Sequence, residues 1–297
     1  MFIFSGSSNP VLAKKIAEKA NAIPGEVSIE QFANGEKRIR ILSEVRNQEV
    51  VIVQSFSQPV DSNIMEFLLI ADALERAGSK RVSAIIPWMG YSLQDKVFRD
   101  GEPIAARVVA DLISHANTKR VFLLDLHNSS IPGFFSVPTT YIRALNLFVE
   151  YAKNTFQMKD VVVVSPDFGG IKQSRTFAEQ LHVNLAHINK HRDLDSGDVS
   201  TLGVAGYPID GKICLLYDDV INSGGTVVEV AKFLKENGAR EVHFFVSHGL
   251  FADGGMRKME EPAIDSVVIS DSVHHSQIGD KIKILSVAQL FVDHLLS

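Results

Sequence analysis

Residues 215–226 read LLYDDVINSGGT. Ile213, Cys214, Leu215 and Leu216 form an apolar run, Tyr217 leads into two adjacent carboxylates, Asp218 and Asp219, and a Gly-Gly turn opens directly into an amphipathic stretch from Thr226. The pattern predicts a strand, an acidic pair, a tight loop and a helix. Ser223, Gly224, Gly225 and Thr226 offer backbone N–H groups with little side chain in the way, at the positive end of that helix, where phosphate binds well. Asp218 and Asp219 lie at the carboxyl end of a parallel strand, where open α/β sheets take their ligands. A phosphate site and an acidic pair about one sugar ring apart point to a phosphorylated sugar with its hydroxyls on the carboxylates. An ordinary helix N-terminus with turn glycines has the same spacing, so the loop alone leaves both readings open.

Composition narrows the classes. A chain of 297 residues is long enough for two domains, and 45% hydrophobic with 22% charged residues is the balance of a globular protein. The net charge of −5 argues against broad nucleic-acid binding, so a phosphate site must be built locally. One cysteine, Cys214, gives neither a disulfide framework nor a cysteine metal site, suits a reducing compartment, and in its apolar strand belongs to the core. The opening MFIFSGSSNP lacks a basic region and has too short an apolar run for a signal peptide, and no later run approaches a membrane span. A cytoplasmic protein is expected.

Phe2–Phe4 reads as a short buried strand, and Pro10 opens a helix to about Ala20. In QFANGEKRIRI, Asn34-Gly35 sets a turn, Phe32–Glu36, between two strands. A strand at Glu49–Gln54, a helix with Ile64, Phe67, Leu68, Ala71 and Leu74 at helical spacing, a stop at Gly78 and a strand at Val82–Pro87 make a βαβ unit. The architecture recurs 160 positions later, where Leu234, Gly238 and Val242 match Leu74, Gly78 and Val82. Such a period predicts two related α/β halves, residues 1–143 and 144–297, with the last helix (Ser286–Leu296) packing back on the first half. The first half's loop, SFSQPVDSN, lacks the acidic pair and the Gly-Gly, and reads as having lost the sugar-phosphate site.

Pro103 is expected to open another helix, with Ile104, Val108, Ala110 or Asp111, and Leu112 in rough register. His127 leaves the carboxyl end of a strand over Val121–Leu126. Asp167 ends the strand VVVVSPD before Phe168-Gly169-Gly170, a second glycine turn whose amides can face a pyrophosphate, with Lys172 and Arg175 adding charge on the helix that follows. Residues 188–211, INKHRDLDSGDVSTLGVAGYPIDG, show weak periodicity and no apolar face, and read as a long lid loop carrying Lys190 and Arg192. His274 and His275 are adjacent, so they point different ways and are not expected to be ligands.

LLYDDVINSGGT resembles the phosphoribosyl-pyrophosphate loop of type I phosphoribosyltransferases: apolar residues, Asp-Asp, two or three variable residues, then Thr/Ser-Gly-Gly-Thr. Further segments in order resemble the ribose-phosphate pyrophosphokinases: FANGE (F-x-[DN]-G-E), GYSLQDKVFRDGEPIAA, DLH with GFF, VSPDFGG, a K-x-R core at Lys190-His191-Arg192, and SHGLF. The resemblance implies two tandem type I phosphoribosyltransferase-like domains, each a mainly parallel sheet flanked by helices. It implies transfer of the diphosphoryl group of ATP to ribose 5-phosphate. ATP would contact Phe32, Asn34, Gly35, Glu36, Gln94 and Arg99, and ribose 5-phosphate would contact Asp218, Asp219, Asn222, Ser223, Gly224, Gly225, Thr226 and Arg192. Mg2+ would be held by His127 and Asp167, with Lys190 and Arg192 catalytic, in a homohexamer that shares its ATP sites between subunits. Leu93 stands where the family carries Arg, Asn34 where Asp is more usual, and Asn222 and Ser223 where Asp/Ser and Thr are usual. Two alternatives remain from the sequence: a weakly active regulatory relative of such a synthetase, and a phosphoribosyltransferase that consumes phosphoribosyl pyrophosphate.

Overall fold

The computed structural model describes residues 1–167, 169–192 and 199–296, with backbone alone at 190–192 and 199–202. It divides into two compact units: Met1–Arg143 with Asp271–His274 and Ser286–Ser297, and Ala144–Ser270 with His275–Leu285.

The first unit contains β1 (Phe2–Ser5), α1 (Pro10–Lys19), β2 (Ile23–Gly25), β3 (Val27–Gln31), β4 (Lys37–Ile41), β5 (Glu49–Val53), α2 (Val60–Arg76), β6 (Arg81–Ile86), α3 (Ala105–His115), β7 (Thr118–Leu124) and β8 (Thr139–Ile142). Six strands form one sheet in the order β2-β1-β5-β6-β7-β8, every pairing parallel. Its central strands are apolar on both faces, as in Val50–Val53 and Ala84–Ile86, because helices cover both sides. Asn9 starts α1 by accepting from the Leu12 amide at 3.1 Å, and Pro10 fills the first helical position, where no N–H is missed. β3 and β4 form a separate antiparallel hairpin whose Val27, Ile29, Ile39 and Ile41 pack on the core.

The second unit contains α4 (Leu145–Thr155), β9 (Val161–Ser165), α5 (Ile171–Leu181), β10 (Asn184–Arg192), β11 (Val199–Gly206), β12 (Ile213–Ile221), α6 (Gly225–Glu236), β13 (Glu241–Gly249), α7 (Gly255–Lys258), β14 (Ser266–Ser270) and β15 (Ile282–Leu285); the last helix, α8 (Ala288–Leu295), belongs to the first unit. The sheet order is β11-β10-β9-β12-β13-β14-β15, parallel except for β11. Apart from β11 this is the first unit's order over again.

The 160-residue repeat is visible bond by bond. Gly78 (φ 80°) and Gly238 (φ 88°) each end a helix in the left-handed region, where glycine pays no Cβ penalty. Each accepts at its carbonyl a backbone N–H at 2.8 Å, from Asn47 and Gly211 respectively, and the next amides, Ser79 and Ala239, return to Leu74 and Leu234.

Three expectations are corrected. The helix after Pro103 starts at Ala105, and its buried stripe is Ala106, Val109, Ala110 and Ile113. Val108 and Leu112 are exposed, because the face turned inward is the one that carries Ala106, Val109, Ala110 and Ile113. The long loop of 188–211 is largely an antiparallel pair, β10 with β11, with a register shift at Asn189/Lys190 that hides the two-residue alternation. Phe168 and residues 193–198 of the expected lid lie outside the described residues. Strand β12 runs through the acidic pair to Ile221, so Asp218 and Asp219 lie on the strand and alternate across it. Among the described residues no helix is long and apolar enough to cross a membrane.

Candidate active site

The carboxyl ends of β9 and β12 and the start of α6 enclose a pocket of about 280 Å3, lined by Asp167, Asp218 and the loop Asn222–Thr226 together with apolar strand residues. Strand alternation separates the acidic pair. Asp218 is half-buried and faces the pocket; Asp219 is buried, 7% exposed, and is outside the lining. The Asp219 amide donates to Asp218 Oδ1 at 2.9 Å, fixing the carboxylate against the backbone. Burial pushes the Asp218 carboxyl up to about 8; the Asp219 side chain adds to the rise, and Asp167 adds a further repulsion across the pocket.

The loop is held open from behind. Gly224 has φ 77°, a conformation that favours glycine, and a Cβ there would push against the end of the Met259 side chain at 2.6 Å. No side chain caps α6, unlike α1, which leaves its first amides for a ligand anion. The Leu250 and Ala252 amides donate to the carbonyls of Ile221 and Asn222 at 2.8 and 2.9 Å, and Lys258 Nζ donates to the Ser223 carbonyl at 2.9 Å. Lys258 thus sets a positive charge against the back of the loop. It was not anticipated; Arg257-Lys258 is a basic pair 32 positions beyond the glycines, and no spacing rule connects the two.

Asp167 enters the pocket from the turn after β9. Its Oδ1 accepts the Gly170 amide at 2.8 Å, so this amide closes the turn on Asp167 and is not one of those aimed at a pyrophosphate, a correction to the sequence reading.

In the first unit, Phe32, Asn34, Gly35 and Glu36 form the exposed tip of the β3–β4 hairpin. The Phe32 amide donates to the Glu36 carbonyl and the Gly35 amide to that of Phe32, both at 2.8 Å. Asn34 holds Glu36 twice, accepting its amide at 3.1 Å and donating to its carboxylate at 3.0 Å, a donation that an aspartate could not make. Gln94 is half-buried and anchored through its carbonyl to the Ala106 amide at 3.1 Å; Arg99 is exposed. Asn128 donates to Asp95, bringing the Gln94-Asp95 segment beside the exposed His127 at the end of β7. Lys190 and Arg192 lie on β10 opposite Thr201 and Val199.

Among the described residues no three His, Cys, Asp or Glu side chains converge on a ready-made metal cage. Magnesium needs none, since it keeps waters and phosphate oxygens and takes few protein ligands. Asp167 adds to the cost of ionising Asp218 within one pocket, and that donor set suits a hard cation. His127 belongs to the other unit.

Residues 1–116 match the family model of the N-terminal domain of ribose phosphate pyrophosphokinase, and residues 138–283 that of the phosphoribosyl transferase domain. The ribose-phosphate pyrophosphokinase of Fusobacterium nucleatum is 41% identical over 98% of this chain and 92% of its own; that of Thermotoga maritima is 35% identical over 100% and 94%. The crystal structure of phosphoribosylpyrophosphate synthetase from Mycobacterium smegmatis superposes with a TM-score of 0.91 at 33% identity, covering 99% of this chain and 97% of that one. With both halves matched in order and similarity running along nearly the full length of each relative, this chain belongs to the ribose-phosphate pyrophosphokinase family.

Proposed function

We propose that the protein transfers the diphosphoryl group of ATP to the 1-hydroxyl of ribose 5-phosphate, giving phosphoribosyl pyrophosphate and AMP. The observation that carries this is the pocket joining Asp218 to the uncapped amides of the 222–226 loop, in a chain that belongs to this family throughout its length. The 5-phosphate sits on the amides of Asn222, Ser223, Gly224, Gly225 and Thr226. Asp218 accepts hydrogen bonds from ribose hydroxyls, with Asp219 positioning it from the buried face, and Arg192 adds charge to the same substrate. The nucleoside of ATP lies on Phe32, Asn34, Gly35 and Glu36, and its phosphates on Gln94 and Arg99.

The 1-hydroxyl oxygen forms a bond to the β-phosphorus as the bond from that phosphorus to the α,β-bridging oxygen breaks. AMP departs with that oxygen, and the hydroxyl proton is lost to solvent. Lys190 and Arg192 stabilise charge on the transferring group, the main demand of phosphoryl-type chemistry. His127 and Asp167 are the residues that would hold Mg2+, which would supply positive charge to neutralise the ATP phosphates. The functional halves divide at 143/144, and the protein is a cytoplasmic homohexamer with ATP sites shared between subunits. Incubation with ATP, Mg2+ and ribose 5-phosphate should yield AMP and phosphoribosyl pyrophosphate in equal amounts. Ribose 5-phosphate binding without AMP would replace this reading with the regulatory one. His127→Ala should raise the Mg2+ concentration needed for half-maximal rate; an unchanged requirement removes His127 from the site.

A further inference from the structure

The first unit has a counterpart of the sugar-phosphate pocket, and it is full. Strand pairing fixes the correspondence: Val53 lies opposite Ile85 as Tyr217 lies opposite Phe245, which places Gln54 where the second unit has Asp218. Ile3 lies beside Val51 as Val163 lies beside Leu215, which places Ser7 where the second unit has Asp167. Counted back from the matching glycine stops, Glu66 stands where the second unit has Thr226 of the phosphate loop. Helix α2, with 17 residues against 12 in α6, extends through the space that the loop takes in the other copy.

Glu66 is completely buried and ionised, and its partners come from these same positions. The Ser7 amide donates to it at 2.6 Å and the Ser7 hydroxyl at 2.8 Å; Gln54 Nε2 donates at 2.9 Å. The remaining partner is the Lys37 ammonium, an ion pair that is 15% exposed on the lysine side and 0% on the glutamate side. Burial alone would raise the Glu66 carboxyl, and the bonds from Lys37 and Ser7 outweigh it and hold the group below its ordinary value. Lys37 is the first residue of β4, immediately after the 32–36 tip, and shares the inward face of the strand with Ile39 and Ile41. A charge in that row calls for a specific partner below it.

We propose that Glu66 is a built-in anion filling the first unit's remnant phosphate pocket, and that through Lys37 it latches the base of the 32–36 tip, making both positioning residues for the nucleotide. The effect on nucleotide binding rests on the reading of that tip as an ATP contact; the latch itself does not. Hydrogen exchange tests the latch on the free protein, with Lys37→Met, Glu66→Gln and the conservative Lys37→Arg. The Phe32 and Gly35 amides should exchange roughly tenfold faster in the first two variants and at the parent rate in Lys37→Arg, with the α2 amides still protected. Unchanged exchange at the tip in Lys37→Met overturns the proposal, as does equal loss across α2, which would make the pair a plain core contact. In assays, Lys37→Met should raise KM for ATP about fivefold while kcat and KM for ribose 5-phosphate stay within about twofold. Faster exchange with an unchanged KM for ATP keeps the latch and removes the tip from the ATP site.

Discussion

The β5–α2 crossing of the first unit and the β12–α6 crossing of the second share strand order, glycine stop and closing hydrogen bonds, yet one is sealed and the other open. In the sealed copy every charge has a partner of its own. Glu66 is met by Ser7, Gln54 and Lys37, and the carbonyl oxygen of Gln54 is met by the Ser8 hydroxyl at 2.6 Å. In the open copy the charges are set against one another: Asp218, Asp219 and Asp167 crowd the same end of the sheet, and the first amides of α6 have no capping side chain. The frame is the same; the difference lies in whether the buried charge is paired with an opposite one or set beside like charges and an uncapped helix start. Crowding carboxylates and leaving a helix start uncapped cost stability in the free protein, which is how binding sites generally arise on otherwise consistent folds.

The most disruptive way to break this comparison is to move the open copy's charge into the sealed one. Gln54→Asp would put a second carboxylate against buried Glu66, and a loss of roughly 3–5 kcal/mol is expected in urea unfolding, the scale of an uncompensated buried charge. A near-neutral result would mean that the sealed pocket is wetter than its hydrogen bonds suggest.

The two hairpins offer the next contrast. β3–β4 is a separate antiparallel pair packed on the first unit's core, whereas β10–β11 extends the edge of the second unit's sheet, and only the second carries the K-x-R segment. Lys190→Ala should lower kcat by roughly 10²–10³ with KM for either substrate little changed, the signature of a contact made in the transition state. Retained turnover would reduce the segment to a charged sheet edge.

Asp218→Ala should weaken ribose 5-phosphate binding by about 1.5–3 kcal/mol, the range for a hydrogen bond to a charged group, with ATP affinity nearly constant. Titration of each substrate separately decides it, since equal losses would indicate collapse of the strand end. Lys258→Met sharpens the comparison most finely: it should raise KM for ribose 5-phosphate about threefold to tenfold by removing one cation behind the loop, with kcat unchanged. No shift there would assign the Ser223 carbonyl contact to loop packing alone.

Local chemistry made much of this readable in advance. The β12–loop–α6 element, the Asn34-Gly35 turn, the Pro10 helix start and the paired stops at Gly78 and Gly238 all follow from hydrogen bonds and periodicities within a few residues. Around Pro103 the local signals conflict. Ile104, Val108 and Leu112 have suitable spacing, but helix phase is set by the sheet it must cover, and the alanines won. In the β10–β11 pair a register shift breaks the alternation that identifies strands.

The sequence by itself determined the fold class, the repeat and the existence of a glycine loop between β12 and α6, because each is written in contiguous residues whose backbone preferences act locally. Only the tertiary structure decided that Asp218 faces the pocket while Asp219 turns away, that Lys258 backs the loop from 35 residues downstream, and that Ser7 reaches Glu66 across 59 residues to fill the first unit's pocket. Those outcomes depend on which side chains the closed sheet brings together and which it seals from water. Chain distance carries no information about either, because the contacts form only after the sheet has paid the entropy of closing the intervening loops.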